Sequence, residues 1–440
     1  MIGRLEIGRV RACCFSLLIP FLFTGLGFVQ LGLVSGFRAE YGLAVLVWGI
    51  AFGGSQWLLA RRLPKANPFL MPTVSLLVGL GLLMTARLAP RFLGRQVIWL
   101  GVGIIVFLAI TLIPRDLGWL RRYKYSWLLA GLVLLSLTFS FGVNPSGFGA
   151  RLWLGGGGLY FQPSEPLKIL FVVFLAVYLS DRRRQMLEVP ATVHLAPFGL
   201  RLNLPHPAYF GPLFLVWGFS ILLLFWQRDL GAALLFFCTF LGMLYVAIGR
   251  IRYLLIGSGL LMVAMVLGYR LFPYVAARVE SWWNPWLDPD DTSFQIVQSL
   301  LAFASGGWFG QGLGQGLPTA IPVVHTDFVF AAIGEEYGML GALAVLLCFG
   351  VIIHQALEIG LRGQTHFQQL LAAGLGLVLG IQALVIAAGS LKLIPLTGVT
   401  MPFVSYGGSS LLTSFAMVGL LVFISTRVAP FQRCSGRRSR

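Results

Sequence analysis

Residues 230–249 read LGAALLFFCTFLGMLYVAIG, twenty positions without a charged side chain. A helix of about 20 apolar residues matches the thickness of the bilayer hydrocarbon, so this stretch predicts a membrane-spanning helix. Several other stretches in the 440-residue chain are as apolar, and 58% of all residues are hydrophobic. A soluble domain of that composition would lack polar side chains to cover its surface. The sequence therefore predicts an all-α, polytopic integral membrane protein.

The apolar stretches are numerous enough to define a topology. We predict twelve transmembrane helices, near residues 13–35, 42–60, 69–88, 97–114, 125–142, 166–180, 211–226, 230–249, 253–272, 330–353, 369–390 and 409–426. An even number places both termini on one side of the membrane. The first run follows Arg4, Arg9 and Arg11, as in a signal peptide. It is longer than a usual signal core and lacks an A-x-A cleavage site, so we interpret it as a retained helix.

The charged residues orient this topology. Most of the 32 lysines and arginines fall in loops on the side of the termini, and most of the 15 acidic residues fall on the opposite side. Cytoplasmic loops carry an excess of lysine and arginine. Both termini are therefore predicted to be cytoplasmic, and residues 273–329 to form a large extracytoplasmic loop. The net charge of +17 reflects the same excess of lysine and arginine in cytoplasmic loops, so no nucleic-acid partner is predicted. The five cysteines show no metal-binding spacing such as CxxC.

Three carboxylates occur together in this outer loop. Residues 281–299 read SWWNPWLDPDDTSFQIVQS and contain Asp288, Asp290 and Asp291 beside three tryptophans, in a chain with only 11% charged residues. Solvated turn residues are the simpler interpretation. Because long loops with their own polar content are usually functional, a reaction centre is the alternative.

A pair of charges lies at the mouth of a short apolar segment, where Glu165 precedes Lys168 by three positions. Side chains at that spacing face each other on a helix. Ionisable groups near the hydrocarbon cost several kcal/mol unless they are paired. The pair therefore marks a site, or it merely anchors the helix at the interface.

Two other polar clusters are predicted on the outer side. Asp229 belongs to the only polar break in residues 211–249, where it caps the next helix, contributes to a site, or does both. His325 is a candidate base or ligand at the point where the outer loop re-enters the membrane. The neighbouring Thr326 or Asp327 is a candidate cap of the helix that follows.

These outward charges suit transfer from a lipid-linked sugar pyrophosphate. One carboxylate takes a proton from the attacking hydroxyl, and cations stabilise the leaving pyrophosphate. The outward cations are Arg151, Lys168, Arg228, Arg270 and Arg278. The tryptophans suit the membrane interface and can stack on sugar faces. The composition and topology alone do not distinguish such an enzyme from a transporter.

Four blocks occur in order along the chain. They are GARLWLGGGGLYFQPSEPLK (149–168), QRDLGAALLFF (227–237), NPWLDPDDTSFQIVQSLLAFASGGWFGQGLG (284–314) with HTDFVFAAIGEEYG (325–338), and LTGVTMPFVSYGGSSLL (396–412). Their spacing and membrane position resemble the SEDS family, the FtsW/RodA/SpoVE group of peptidoglycan glycosyltransferases. The resemblance implies a ten-helix membrane domain (residues 66–428) with an added N-terminal hairpin of two helices (1–65) and a basic cytoplasmic tail (429–440).

The resemblance also implies a function. SEDS proteins polymerise lipid II into glycan strands at the outer face of the bacterial cytoplasmic (inner) membrane, in division or elongation. They usually work with a class B penicillin-binding protein, which crosslinks the strands, and with other divisome or elongasome proteins. A flippase for the lipid-linked precursor is the alternative, although no inverted repeat is visible. A scaffold role is compatible with the enzyme. The NPW, GQGLG and SYGGSS strings favour the FtsW branch.

Roles are carried over onto matching residues. Asp288, which precedes proline in NPWLDP, matches the family's essential aspartate. It would deprotonate the 4-hydroxyl of the acceptor's GlcNAc for an inverting attack on the MurNAc anomeric carbon of the donor, which releases undecaprenyl pyrophosphate. The substrate-binding candidates in the same blocks are Arg151, Glu165, Lys168, Asp229, Gln295, Gln298, Ser299, His325 and Ser405.

The chain departs from the family pattern at several positions. Leu152 replaces the second arginine of GARRWL, Arg228 replaces the proline of QPDLG, and residues 290–293 replace the glycines expected after DP. The extra acids Asp290 and Asp291 could recruit a divalent cation (Mg²⁺ or Mn²⁺) that bridges pyrophosphate oxygens. No other cofactor is expected.

Overall fold

The computed structural model describes residues 16–144, 151–156, 159–188, 190–195, 200–205, 218 and 227–428. Within these ranges, ten helices are long and apolar enough to cross a membrane. They are Leu18–Ser35, Ala39–Arg62, Leu70–Leu88, Pro90–Leu112, Lys124–Phe141, Leu230–Ile248, Ile251–Leu271, Gly338–Leu361, His366–Ser390 and Gly408–Arg427. The polytopic helical architecture is therefore confirmed.

Two of the twelve predicted helices, at 166–180 and 211–226, are not among these ten. The segment predicted at 166–180 is the helix Ser164–Glu188. The segment predicted at 211–226 lies outside the described residues apart from Gly218. The count of twelve, like the division into hairpin, membrane domain and tail, stays a prediction.

The single helix predicted at 330–353 is wrong, because the chain forms Val329–Glu336 and then Gly338–Leu361. The break falls where Gly338 adopts a φ of 70°. A side chain there would lie 2.4 Å from both the Gly310 nitrogen and the Trp308 oxygen. The outer loop thus packs against the backbone at this point, and only glycine provides the space and the left-handed φ.

The rest of the described secondary structure is short. The other helices are Gly118–Arg122, Pro273–Trp283 and Phe294–Gly306, with single 3-10 turns at Pro90–Phe92, Pro285–Leu287 and Pro318–Ala320. Leu154–Gly156 pairs with Leu159–Phe161, and Pro190–Leu195 pairs with Leu200–Pro205, both as antiparallel hairpins. These hairpins lie between transmembrane helices.

The N-terminal helices pack directly on the following ones. Gly79 lies against Thr24, and Gly27 lies against Leu83, so close that an added side chain would clash. Trp48 donates a hydrogen bond to the Ser75 carbonyl at 3.2 Å. Small residues let transmembrane backbones approach in this way, so the predicted hairpin is an integral part of the helical bundle.

Polar contacts join the helices at two opposite ends. At one end, which we call the basic end, Asp181 binds Arg121 and Lys124, and Arg183 contacts His366 and the Ala247 carbonyl. At the other end, which we call the site end, the contacts include Arg87 with Glu336 and Trp282 with the Lys392 carbonyl.

Two helices are joined at both ends. Ser164–Glu188 meets His366–Ser390 through Arg183 and His366 at the basic end, and through Lys168 and Gln382 at the site end. In contrast, among the elements that the structure describes, Ile251–Leu271 packs mainly on Leu230–Ile248 and on the short helix Pro273–Trp283. Only 17% of its most apolar stretch is buried, against 83% for His366–Ser390.

Candidate active site

Glu165 and Lys168 form a buried ion pair at the first turn of the helix Ser164–Glu188. Lys168 Nζ lies 2.6 Å from Glu165 Oε2. Lys168 is only 4% exposed and Glu165 only 6%. The proximity predicted from their spacing is therefore confirmed. Glu165 Oε2 has no partner with hydrogen-bond geometry among the described atoms, so charge attraction rather than an aligned hydrogen bond holds the pair.

Gln382 connects this pair to the loop that follows the helix His366–Ser390. Lys168 Nζ donates to Gln382 Oε1 at 2.9 Å, and Gln382 Nε2 donates to the Thr400 carbonyl at 2.7 Å. Gln382 was not predicted as a site residue from the sequence. A signal was present, because it is the single polar side chain in the run LLAAGLGLVLGIQALVIAAG, residues 370–389.

Asp229 lies on the same small cavity and also caps a helix. Its Oδ1 accepts a hydrogen bond from the Ala232 nitrogen at 3.0 Å, which confirms the predicted cap of Leu230–Ile248. Burial raises the pKa of the Asp229 carboxyl, opposed by that hydrogen bond. The cavity is lined by Gln162, Ser164, Glu165, Lys168, Asp229, Ala232, Leu235, Gly398, Val399 and Thr400. Three of the predicted substrate-binding residues thus converge on one cavity.

The proposed helix cap at Thr326 or Asp327 is wrong. Phe328 occupies the N-cap position of Val329–Glu336, with no side-chain cap. The hydroxyl of Thr326 donates instead to the Val323 carbonyl at 3.1 Å. The tertiary packing of this loop has shifted the start of the helix, so the two polar residues remain in the loop before it.

Asp327 has an unusual environment in that loop. Enclosure by the surrounding chain raises its pKa to about 6, although the hydroxyl of Thr326 and the charge of Arg278 oppose the shift. Arg278 donates to the Leu396 carbonyl at 2.9 Å and also acts electrostatically on Asp229. The site end therefore contains a second group of charges next to the cavity.

We expect Asp327→Asn to stabilise the protein more at pH 8 than at pH 4. A carboxyl with a raised folded pKa is penalised when ionised. The penalty is complete above pH 6, shrinks as the pH falls through the folded pKa, and vanishes below the ordinary unfolded value near 4. Thermal unfolding in detergent across this pH range measures the difference. Asp290→Asn, at an exposed acid, is the control. A stability gain for Asp327→Asn that does not change with pH would contradict this assignment.

Asp288 lies apart from the cavity lining, in the half-exposed turn before Phe294–Gly306. Its Oδ2 accepts hydrogen bonds from the Thr292 nitrogen at 3.2 Å and the Thr292 hydroxyl at 2.8 Å. The Asp288 carbonyl accepts from the Ser293 nitrogen at 3.2 Å. The turn thereby fixes the direction of the carboxylate. Thr292 was not identified from the sequence.

The loop between His366–Ser390 and Gly408–Arg427 connects the cavity with the segment that carries Asp288. On one side, the short helix Pro273–Trp283 rests on it through Arg278 and Trp282, which donate to the carbonyls of Leu396 and Lys392. On the other side, Thr400 binds Gln382 and lines the cavity. The turn with Asp288 and the buried ion pair are therefore attached to one loop.

The remaining predicted substrate-binding residues differ in their burial and in their contacts. Ser299 is buried and donates to the Ser390 carbonyl at 2.8 Å. Ser405 accepts from the Met401 nitrogen and donates to the Thr326 carbonyl. These serines hold loops together, whereas Arg151 is exposed and Gln295 and Gln298 are partly buried. Their substrate-binding role stays a prediction.

His325 is tilted against two aromatic rings at the site end, which stack on each other with their centroids 4.8 Å apart. Its ring centroid lies 5.4 Å from that of Phe92 and 5.8 Å from that of Tyr406. Burial, with a smaller effect of Arg91, lowers the pKa of His325 below its ordinary value. The imidazole is therefore neutral at pH 7, the form in which it can accept a proton or a hydrogen bond.

The described residues contain no group of three or more His, Cys, Asp or Glu side chains that could hold a metal ion. Asp290 and Asp291 are both exposed. The donors within the described part of the chain therefore do not fit a dedicated Mg²⁺ or Mn²⁺ site.

Comparison with known families covers most of the chain. Residues 69–429 match the FtsW/RodA/SpoVE family model, described as a cell cycle protein. The peptidoglycan glycosyltransferase RodA of Mycobacterium bovis is 38% identical over 400 residues, which cover 88% of this chain and 83% of that protein. The probable peptidoglycan glycosyltransferase FtsW of Geobacter sulfurreducens is 37% identical over 344 residues, covering 77% and 86%. Relatives of both names match, so the FtsW branch is not singled out.

Solved structures have a similar fold. A chain from a study of how a peptidoglycan synthase complex coordinates polymerization and crosslinking has a TM-score of 0.66 and 28% identity, covering 82% of this chain and 97% of that one. The rod shape determining protein RodA of Thermus thermophilus has a TM-score of 0.57 and 27% identity, covering 84% and 98%.

Proposed function

The chain belongs to the FtsW/RodA/SpoVE family, and on this premise we propose that it is a peptidoglycan glycosyltransferase. Its substrate is lipid II, which it polymerises into glycan strands at the outer face of the bacterial cytoplasmic membrane. The observation that carries the proposal is the similarity, along most of the chain, to curated relatives with this activity in their names. The carboxylates and cations gathered at the site end support it.

In the proposed mechanism Asp288 is the general base. Thr292 engages Oδ2, and the other oxygen takes the proton from the GlcNAc 4-hydroxyl of the acceptor. The acceptor oxygen forms a bond to the MurNAc anomeric carbon of the donor, on the face opposite the leaving group. The bond from that carbon to the pyrophosphate oxygen breaks, and undecaprenyl pyrophosphate leaves with the electron pair. The configuration inverts.

Cations at the site end stabilise the departing pyrophosphate in this scheme. Preorganised positive charge where negative charge develops is usually a large contribution to catalysis. Lys168 is buried at the cavity, and Arg278 lies beside it. Glu165 keeps Lys168 in place, and Gln382 fixes its direction.

Purified protein incubated with lipid II tests the proposal. We expect polymeric glycan on a gel, without any added polymerase. A protein that moves fluorescent lipid II across vesicle membranes but forms no polymer would be a flippase and would contradict the proposal.

A class B penicillin-binding protein is the proposed partner. The similar chain from the peptidoglycan synthase complex supports this, because that study concerns the coordination of polymerization with crosslinking. The other proposed partners are further divisome or elongasome proteins and membrane lipid.

The proposed orientation places the site end outside and the basic end in the cytoplasm. In a variant without native cysteines, we expect Leu317→Cys to react with an impermeant thiol reagent in intact cells, since Leu317 is exposed in the outer segment. Arg62→Cys, exposed at the opposite end of the bundle, is the matched control and should react only after membrane disruption. The reverse labelling pattern would contradict the orientation.

A further inference from the structure

Arg228 adopts a backbone conformation that is unusual for its residue type. Its φ is 63°, in the left-handed region, which is unfavourable for a residue with a Cβ. Proline, which occupies this place in the family pattern, is locked near φ −65° and cannot adopt this turn. The turn is therefore a property of this chain, and it directs an arginine side chain from the position next to the cavity residue Asp229.

The Arg228 side chain is exposed, but a contact with the Tyr274 ring sets its direction. Its guanidinium carbon lies 5.5 Å from the centroid of the Tyr274 ring, on the short helix Pro273–Trp283. A cation over an aromatic face is attracted by the ring but keeps its full charge. Among the described residues, no carboxylate forms an ion pair with Arg228.

Two other cations near the cavity, Lys168 and Arg278, already have partners. Lys168 binds Glu165 and Gln382, and Arg278 binds the Leu396 carbonyl and acts on Asp229 and Asp327. The cavity itself carries the carboxyl groups of Glu165 and Asp229. Arg228, adjacent in sequence to the cavity residue Asp229, thus supplies a positive charge without a carboxylate partner among the described residues.

We infer that Arg228 binds a phosphate-ester anion, held in direction by Tyr274. The planar guanidinium forms paired hydrogen bonds with phosphate oxygens. The inference rests on the proposed function, in which that anion is the diphosphate of the lipid-linked donor. A membrane phospholipid headgroup has the same chemistry, so the test separates the two sources.

Undecaprenyl pyrophosphate is the probe, and its binding to purified full-length protein is measured in phospholipid-free detergent micelles. We expect Arg228→Gly to weaken binding about 10-fold, the lower range for one charge-assisted contact at an exposed position. Glycine adopts the left-handed φ freely, so this variant removes the charge and preserves the turn. Arg228→Lys keeps the charge and should retain most of the affinity. Tyr274→Phe should bind as the wild type does, and Tyr274→Ala should be weaker.

Equal binding by wild type and Arg228→Gly in micelles would overturn the inference. A defect of Arg228→Gly that appears only in binding to vesicles rich in anionic phospholipid would assign Arg228 to a headgroup and overturn the diphosphate assignment. If the wild type binds the probe in an Arg228-dependent way yet forms no polymer from lipid II, the proposed function fails while the inference stands.

Discussion

Asp288→Asn should lower the rate of lipid II polymerisation by about 100-fold or more, because a general base contributes roughly 10²- to 10⁴-fold. Asparagine has nearly the same size, and its amide oxygen can still accept the hydrogen bonds of Thr292, so the turn should persist. Initial rates of glycan formation by purified protein, at equal concentrations of folded enzyme, measure the effect. Lipid II binding should be retained.

Asp290→Asn is the matched control, since it removes an exposed acid two positions away in the same turn. It should keep most of the activity. Thr292→Val removes the hydroxyl that holds Asp288 Oδ2 and should cause a smaller loss than Asp288→Asn. If Asp288→Asn polymerises at the wild-type rate while Asp291→Asn does not, the wrong carboxylate has been assigned as the base.

Lys168→Met should be the most destabilising single substitution at the site end. It leaves the Glu165 carboxylate buried without its cation, and breaking a buried pair in this way costs about 3–5 kcal/mol. It also leaves Gln382 Oε1 without the Lys168 donor. We expect a lower melting temperature in detergent, a lower level in the membrane and no detectable polymerisation.

The double variant Glu165→Gln with Lys168→Met separates folding from function. It removes both charges at once, so much of the stability should return, whereas polymerisation should not. A charge swap, Glu165→Lys with Lys168→Glu, should recover some folding but little activity, because a carboxylate would then face Gln382 Oε1. Full activity of the double variant at normal membrane levels would leave the ion pair only an anchoring role.

Local rules were sufficient to predict the spans, the ion pair and one cap. A run of about 20 apolar residues must form a helix in lipid, since its backbone has no other hydrogen-bond partners there. Glu165 and Lys168 lie three positions apart on one helix, and Asp229 directly precedes a helix. The spans depend on one continuous stretch of the chain, and the ion pair and the cap depend on residues within one helical turn.

Features that depend on distant contacts could not be predicted. Gln382 meets Lys168 across 214 positions of the chain, and nothing in either segment alone specifies that contact. The break at Gly338 arises because residues 308–310 pack against it. The cap expected at Asp327 failed because Phe328 takes the N-cap position. In each case tertiary packing decided the outcome.

The two helices that meet at both ends give the protein regions of unequal stiffness. Tilting Ser164–Glu188 against His366–Ser390 would separate Arg183 from His366 or Lys168 from Gln382, and these helices are otherwise deeply packed. Ile251–Leu271 is held less firmly, because only 17% of its most apolar stretch is buried. This compliant helix leads directly into the short helix and the turn that carry Asp288. Asp288 therefore lies in the part of the protein that is easier to displace, and the ion pair of Glu165 and Lys168 lies in the stiffer part.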